Sequence, residues 1–440
     1  MMKSVALISF GCAKNLVDSE VMLGYLDKSG FNFTSNPEEA DVIILNTCGF
    51  IQPAKEESSQ AISKAVALKR KRKEKKIIVA GCYVERDKDS LAKAFPEIDI
   101  WLGVKEFDKI VQAVEGEPFQ KREHCFLYDH TSPRIVSTPP SWAYIKISEG
   151  CSHQCSFCSI PLIKGSYHSR LISSILQEAY LLAERGVKEI NLISQDSTCF
   201  GRDRGLEDGL SLLLEELLEV KGIEWIRILY GYPEEISDCL LEIMQERKIC
   251  SYLDLPFQHS DSQIIKKMGR GMDGERALAL IKKIRQRLPD IALRTSLIVG
   301  FPGEEKKEFS DLKRFVRQAK FDHLGVFTYS KEEGTNSFSL SDPVRENEKR
   351  KRKEKIMEIQ AEISFENNRK YLDQKIEVLI EGMLKENSKV LIGRARFQAP
   401  EVDGIITIDA PSEITCIMNT IQKVEITGRD VYDLQGKFAK

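Results

Sequence analysis

The sequence predicts an α/β protein built in three parts. These are an N-terminal parallel α/β domain over residues 1–120, a central partial barrel of six strand–helix units over 137–368, and a small antiparallel β-barrel over 371–440. Three observations carry this prediction. Short apolar, β-rich runs alternate with helical patterns through most of the 440 residues, and that alternation signals parallel sheets. Pro133, Pro139 and Pro140 interrupt it with a linker. Beyond Tyr371 the helical patterns stop and only short β runs follow. The length also suits about three domains.

The elements follow in order. In the first part, strands are expected at Val5–Phe10, Val42–Thr47 and Ile77–Ala80, with helices near Leu16–Lys28 and Pro53–Lys71. In the second, strands are expected at Ala143–Ser148, Val187–Ile193, Trp225–Leu229, Tyr252–Leu255, Leu293–Val299 and Leu324–Tyr329. Helices between them include Ser173–Arg185, Ser211–Glu219, Glu234–Glu246 and Gly274–Leu288. Six units make an incomplete barrel, open on one side to admit a bulky substrate. A charged helix over Val344–Asn368 follows. The last part offers strands at Ile376–Glu381, Val390–Arg396, Gly404–Ile408, Ile414–Ile417 and Gln422–Thr427, enough for a small barrel.

Cys151, Cys155 and Cys158 form a C-x3-C-x2-C triplet directly after the first barrel strand and the Glu149-Gly150 turn. Three thiolates can hold three irons of a four-iron four-sulfur cluster and leave the fourth iron open. An open metal position points to chemistry rather than scaffolding. The C-terminal end of a strand is also where α/β barrels carry their active sites. The plainer reading is a structural zinc site, which wants a fourth ligand. His153 is a candidate, but it sits inside the C-x3-C loop.

Cys12, Cys48 and Cys82 each end one of the three apolar runs of the first part. Ligands of open parallel sheets bind beyond the carboxyl ends of the strands, so these cysteines are expected to meet at one sheet edge as a second metal site. The plainer alternative is three buried core thiols. The other five cysteines (Cys125, Cys199, Cys239, Cys250 and Cys416) lack ligand spacing and read as structural thiols, with Cys199 placed to lie near the barrel site. Eleven cysteines beside such motifs imply a reducing cytosol. The first apolar run is too short for a signal peptide, and no run approaches membrane-spanning length. A formal net charge of −2 gives no global electrostatic case for nucleic acid.

With these motifs in place the chain resembles the methylthiotransferases of the radical S-adenosylmethionine (SAM) superfamily. The carriers are Gly11-Cys12, Asn46-Thr47-Cys48, Gly81-Cys82, the Cys151 triplet and the Ile298–Glu304 segment. The resemblance implies an N-terminal domain with an auxiliary cluster on Cys12, Cys48 and Cys82. It implies a radical SAM barrel whose catalytic cluster sits on Cys151, Cys155 and Cys158, and a C-terminal TRAM barrel. Its cofactors would be two 4Fe-4S clusters and SAM. One SAM methylates a sulfur at the auxiliary cluster; a second is cleaved to a deoxyadenosyl radical that takes hydrogen from an unactivated carbon. A reducing electron donor is then a required partner. Phe157 stands where the family places the adenine. Gln195, Asp196, Arg294, Thr295 and Gly300, at strand ends and turns, are SAM-binding candidates. Polar residues there also commonly satisfy only backbone groups.

Further segments resemble the branch that modifies an aspartate of small-subunit ribosomal protein twelve, rather than the branch that modifies tRNA adenosine. They include Cys12-Ala-Lys-Asn15, Asn46–Ile51, Ile160–Ile163, Asn191–Asp196 and Ala399–Gly404. Ala13 and Gly231 depart from that branch. From Tyr371 onward, nine lysines and arginines face eleven aspartates and glutamates. An RNA-binding barrel should carry a basic surplus, so this part suits a basic protein target, with Glu401 and Asp403 as candidate contacts. The run Lys69–Lys76, basic but for Glu74, could touch ribosomal RNA, although such runs are more often solvated helix ends. A non-catalytic iron–sulfur electron carrier is the reading from another class, but carriers usually close each cluster with four cysteines.

Overall fold

The computed structural model describes residues 3–120, 126–341, 344–385, 389–409 and 417–439. The α/β class holds throughout. The first part is a five-stranded parallel sheet in which Val42–Thr47, buried along its whole length, lies at the centre. Ser4–Ser9 and Lys76–Gly81 flank it, and Asn32–Phe33 and Ile100–Leu102 form the edges. One helix begins earlier than the sequence pattern suggests, and a second lies where no helix is expected. Ala13–Lys28 starts directly after Cys12, and Cys82 itself opens the helix Cys82–Ala94. Polar side chains in the first turns hide the apolar period there. The consequence is functional: the strand-end cysteines lie where a strand meets the next helix.

The central part has six parallel strands: Trp142–Lys146, Glu189–Ile193, Trp225–Ile228, Tyr252–Asp254, Ala292–Val299 and His323–Thr328. They form two three-stranded sheets, joined at the Ile226–Ile249 bridge, with the first and last strands at the free edges. One face of each strand packs on the surrounding helices through Ile145, Leu192, Ile228, Leu253 and Leu297. The other face, carrying Tyr144, Arg227 and Tyr252, looks inward. The expected helix Glu234–Glu246 is broken. A 3₁₀ turn at Pro233–Glu235 is followed by Ile236 and Ser237 in extended conformation, and the Ser237 hydroxyl caps Asp238–Ile243 by accepting from the Leu240 N–H. Serine competes well for such a cap.

The C-terminal part is a closed five-stranded barrel, but not with the five expected strands. Of the expected strand Ile414–Ile417, residues 414–416 lie outside the described residues and Ile417 is in a turn. The fifth strand is Leu434–Phe438, which joins Ile406–Asp409 to Ile421–Arg429. Its polar, glycine-containing sequence hides it. Gly436 is required by the packing, because a Cβ there would lie 2.4 Å from Val424 Cγ1.

This small barrel is bolted onto the inward face of the central one. Glu189 accepts from Arg227 Nε at 2.7 Å and from Arg394 Nη2 at 2.6 Å, all three fully buried. Asp403 accepts from Tyr252 Oη at 2.7 Å and Arg294 Nη1 at 2.5 Å, and Glu401 accepts from Tyr144 Oη at 2.9 Å. Asp403 is therefore an internal fastener rather than a contact for a basic target, whereas Glu401 stays exposed while it holds Tyr144. The Asp403 side chain is fully covered, a burial that charge along the sequence does not reveal. Removing one member of a buried ion network leaves uncompensated charge. Glu189→Ala is expected to lose about 3–5 kcal/mol of stability, measurable by urea denaturation.

Much of the basic run at Lys69–Lys76 is paired within the first domain. Lys69 pairs with Asp99 at 2.5 Å, Arg70 with Glu97 at 2.5 Å and Arg72 with Asp41 at 2.9 Å. Lys75 is buried and donates to the carbonyls of Pro37, Glu38 and Ala40. The run ends the helix Gln52–Lys71, where cations suit the dipole.

Candidate active site

The Cys151–Cys158 loop is fixed by its backbone. Gly150 has φ 82, and a Cβ on it would lie 2.0 Å from Ser166 O, so the loop leaves its strand through a turn only glycine fits. Cys151 N–H donates to Gly165 O at 3.1 Å, Ser156 N–H to Met268 O at 2.9 Å and Cys158 N–H to Cys155 O at 3.1 Å. Burial pushes the Cys151 thiol up to about 11 and the Cys158 thiol to about 12. Without a ligand these sulfurs keep their protons, so a metal that replaces the protons is what makes them thiolates.

His153 takes no part in the triplet. Its Nε2 lies 2.5 Å from Asp196 Oδ2, and its ring stacks on Tyr232 at 3.8 Å between centroids. The Cys199 thiol donates to the same Asp196 oxygen at 2.9 Å. Arg270 lies on the other side of this stack, 3.9 Å from the Tyr232 ring centroid, with Nη1 4.0 Å from Cys155 Sγ. The sequence reading did not find Tyr232 or Arg270, since both lie far from the triplet in the chain and follow no ligand motif.

The N-terminal cysteines also converge. Gly11, at φ 91, lets the end of the first strand approach Cys48; a Cβ there would lie 2.8 Å from Cys48 Cβ and 3.0 Å from its Sγ. Ser58 clamps the Cys48 backbone, its hydroxyl accepting from the N–H at 3.2 Å and donating to the carbonyl at 3.0 Å. Burial raises the Cys48 thiol to about 11 and that of Cys82 further still, and Cys12 and Cys48 each add to the shift at Cys82.

The loops that carry the two triplets touch across the domain joint. Ser159 Oγ donates to Phe50 O at 3.2 Å, which joins the residue after Cys158 to the second residue after Cys48. Around this contact, Glu332 binds Arg86 Nη1 at 2.9 Å and accepts from Gln52 N–H at 2.8 Å. Asp18 bonds to Lys146 and lies 3.4 Å from Lys164, while Glu149 lies 2.7 Å from Lys146 and 3.3 Å from Lys164. Burial alone would raise the Glu149 carboxyl. Lys146 and Lys164 outweigh that and hold it well below the usual carboxylate range.

The SAM candidates fall into different settings. Gln195 donates to Glu149 Oε1 at 2.5 Å, and its own Oε1 is buried without a partner, as are both side-chain polar atoms of Asn191 on the inward face. Such orphans fit a polar ligand in the barrel mouth. Phe157 borders the cluster of Ile264, Met268, Ile298, Phe301 and Tyr329. Thr295 is satisfied by backbone, donating to Leu255 O at 2.8 Å and accepting from Phe257 N–H at 3.2 Å. Arg294 is committed to Asp403, away from the triplet. Gly300 donates its N–H to Glu304 Oε2 at 2.9 Å, and a Cβ there would strike Lys349 Cγ at 2.4 Å, so helix packing accounts for this glycine.

Comparison with known proteins agrees with this layout. Residues 4–103 match the family described as uncharacterized protein family UPF0004, 145–316 the radical SAM superfamily and 374–438 the TRAM domain. The chain is 42% identical to the ribosomal protein uS12 methylthiotransferase RimO of Citrifermentans bemidjiense, covering 99% of this chain and 98% of that one. It is 45% identical to the protein of the same name from Aquifex aeolicus (98% and 96%) and 43% identical to that of Desulforamulus reducens (100% and 100%). Among solved structures, the radical SAM methyltransferase TsrM from Kitasatospora setae shares the fold, with a TM-score of 0.54 at 14% identity over 74% of this chain and 72% of that one. Identity of this level along essentially its whole length, with both cysteine triplets converging as they do, means that the chain belongs to the RimO family of ribosomal protein uS12 methylthiotransferases.

Proposed function

We infer that this protein is a radical SAM methylthiotransferase that places a methylthio group on the β-carbon of an aspartate in ribosomal protein uS12. The observation that supports this most is the Ser159–Phe50 contact, which sets a radical SAM triplet against a second cysteine triplet. Two sites so close can act on one carbon, the first opening its C–H bond and the second supplying sulfur. The bound 4Fe-4S clusters and SAM supply that one-electron chemistry, which no acid–base pair of side chains can perform. Cys151, Cys155 and Cys158 would hold one cluster and Cys12, Cys48 and Cys82 the other, with Asn191 and Gln195 turned toward SAM. Arg270 brings positive charge beside Cys155 and steadies the Tyr232–His153 stack. Asp18, Glu149, Lys146 and Lys164 fasten the two domains. No helix among the described residues is long and apolar enough to cross a membrane. The thiol count suits the reducing cytoplasm, where an electron donor must serve the barrel cluster.

Mass spectrometry of uS12 and of tRNA from cells with and without the gene tests the substrate. The mass increment of one methylthio group is expected on a uS12 aspartate, only when the gene is present. Its appearance on tRNA adenosine instead would assign the chain to the other branch, a result the TRAM domain makes worth measuring.

A further inference from the structure

Lys14 has a setting that the clusters do not explain. It is the second residue of the helix Ala13–Lys28, two positions after Cys12. Its Nζ lies 3.3 Å from the centroid of the Tyr230 ring, at the C-terminal end of a barrel strand. The side chain is half-buried and reaches from the first domain to the barrel. Among the described residues no carboxylate, carbonyl or hydroxyl bonds to it. None of the nearby acids bonds to it, although one oxygen of Asp254 is buried without a hydrogen-bond partner. Glu149 is bound by Lys146, Lys164 and Gln195. Asp254 accepts from the Tyr230 N–H at 3.3 Å, and Arg294 Nε lies 3.9 Å from its other oxygen.

Tyr230 is held in a conformation that tyrosine rarely adopts, with φ 61. Two bonds pin it there: its N–H donates to Asp254, and its carbonyl accepts from Ser197 N–H at 2.8 Å. Strain of this kind persists where the surroundings enforce it, and it gathers at ligand sites. Here it keeps an aromatic face under the ammonium. A ring face holds a cation more weakly than an acceptor oxygen does, and it leaves the N–H bonds of the ammonium free to point at a ligand.

We propose that Lys14 binds the side-chain carboxylate of the substrate aspartate, and so selects aspartate and positions its β-carbon between the two cysteine triplets. The proposal rests on the uS12 reading above. The chemistry fits the position. The carboxylate is one carbon–carbon bond from the carbon to be modified, so fixing the anion fixes that carbon. Lys14 follows Cys12 by two residues, and Glu149, whose field it feels, precedes Cys151 by two. A cation so placed, beside the N-terminal triplet and against the end of a barrel strand, can hold the target at the joint.

The test uses the reconstituted full-length holoenzyme and a labelled peptide carrying the uS12 target segment, with aspartate or with asparagine at the modified position. Binding is read by fluorescence anisotropy in the presence of SAM. The wild type is expected to bind the aspartate peptide at least about tenfold more tightly, the lower range for a charge-assisted hydrogen bond. Lys14→Met is expected to weaken the aspartate peptide by about tenfold to a hundredfold and to bind both peptides equally; Lys14→Arg should restore part of the preference. The inference is overturned if the wild type does not distinguish the peptides, a result that needs no variant to fold. It is also overturned if Lys14→Met keeps the preference, or if it loses SAM binding instead, which would make SAM's own carboxylate the partner. If the wild type ignores both peptides and modifies RNA, the substrate reading falls and the inference falls with it.

Discussion

Replacing Cys151, Cys155 and Cys158 by alanine is expected to abolish release of deoxyadenosine from SAM and to remove about half of the bound iron and sulfide, of which two four-iron clusters hold about eight each per chain. The loop should survive the change. Its anchors are backbone bonds from Cys151 to Gly165 and from Ser156 to Met268, and none uses a thiol. The loss would therefore report the missing ligands rather than a collapsed loop. Iron, acid-labile sulfide and zinc are measured on the same anaerobically reconstituted sample, and deoxyadenosine by chromatography after reduction. Stoichiometric zinc without sulfide in the unmodified protein would refute the two-cluster assignment. Residual deoxyadenosine in the triple variant would place SAM cleavage elsewhere.

Cys48→Ala should divide the reaction at a different point. Methylthio product is expected to fall below detection, while reductive cleavage of SAM continues. The thiol of Cys48 faces Gly11 and its own domain. The link to the barrel at this point runs through the Phe50 carbonyl, which the substitution leaves in place. Ser58 holds the Cys48 backbone whatever side chain it carries. Deoxyadenosine and methylthiolated peptide are quantified in one assay. Disappearance of both from a folded variant would mean that the N-terminal triplet also serves SAM cleavage.

Much of this architecture is legible in the sequence because its strands are short apolar runs separated by polar helical patterns. The six barrel strands fall within two residues of their expected bounds for this reason. Pattern fails where side chains do not report burial. Leu434–Phe438 is a strand whose polar composition hides it, and the helix expected at Glu234–Glu246 breaks at a serine cap. Charge is the least legible property. Glu401 and Asp403 read as surface acids, and the Lys69–Lys76 run as a possible RNA contact; folding turns Asp403 into a fastener and pairs much of the run within its own domain. The aromatic stack of His153 and Tyr232 beneath Arg270 joins three distant stretches of chain, and only the fold brings them together.

The fastening of the small barrel has a consequence for how the protein can be divided. Three separate family matches suggest three interchangeable modules, but the seam between the last two is not a surface. Glu189 and Arg227 are fully covered in the assembled chain, and Arg394, from the far side of the seam, bonds directly to Glu189. A chain cut after Asn368 would leave those strand residues wet, with one guanidinium missing from the set. Transplanting the C-terminal barrel of another protein would demand an arginine in the same register and an acid where Asp403 stands. The last seventy residues thus close the inward face of the central barrel, and their sequence is answerable to that barrel before it is answerable to any target.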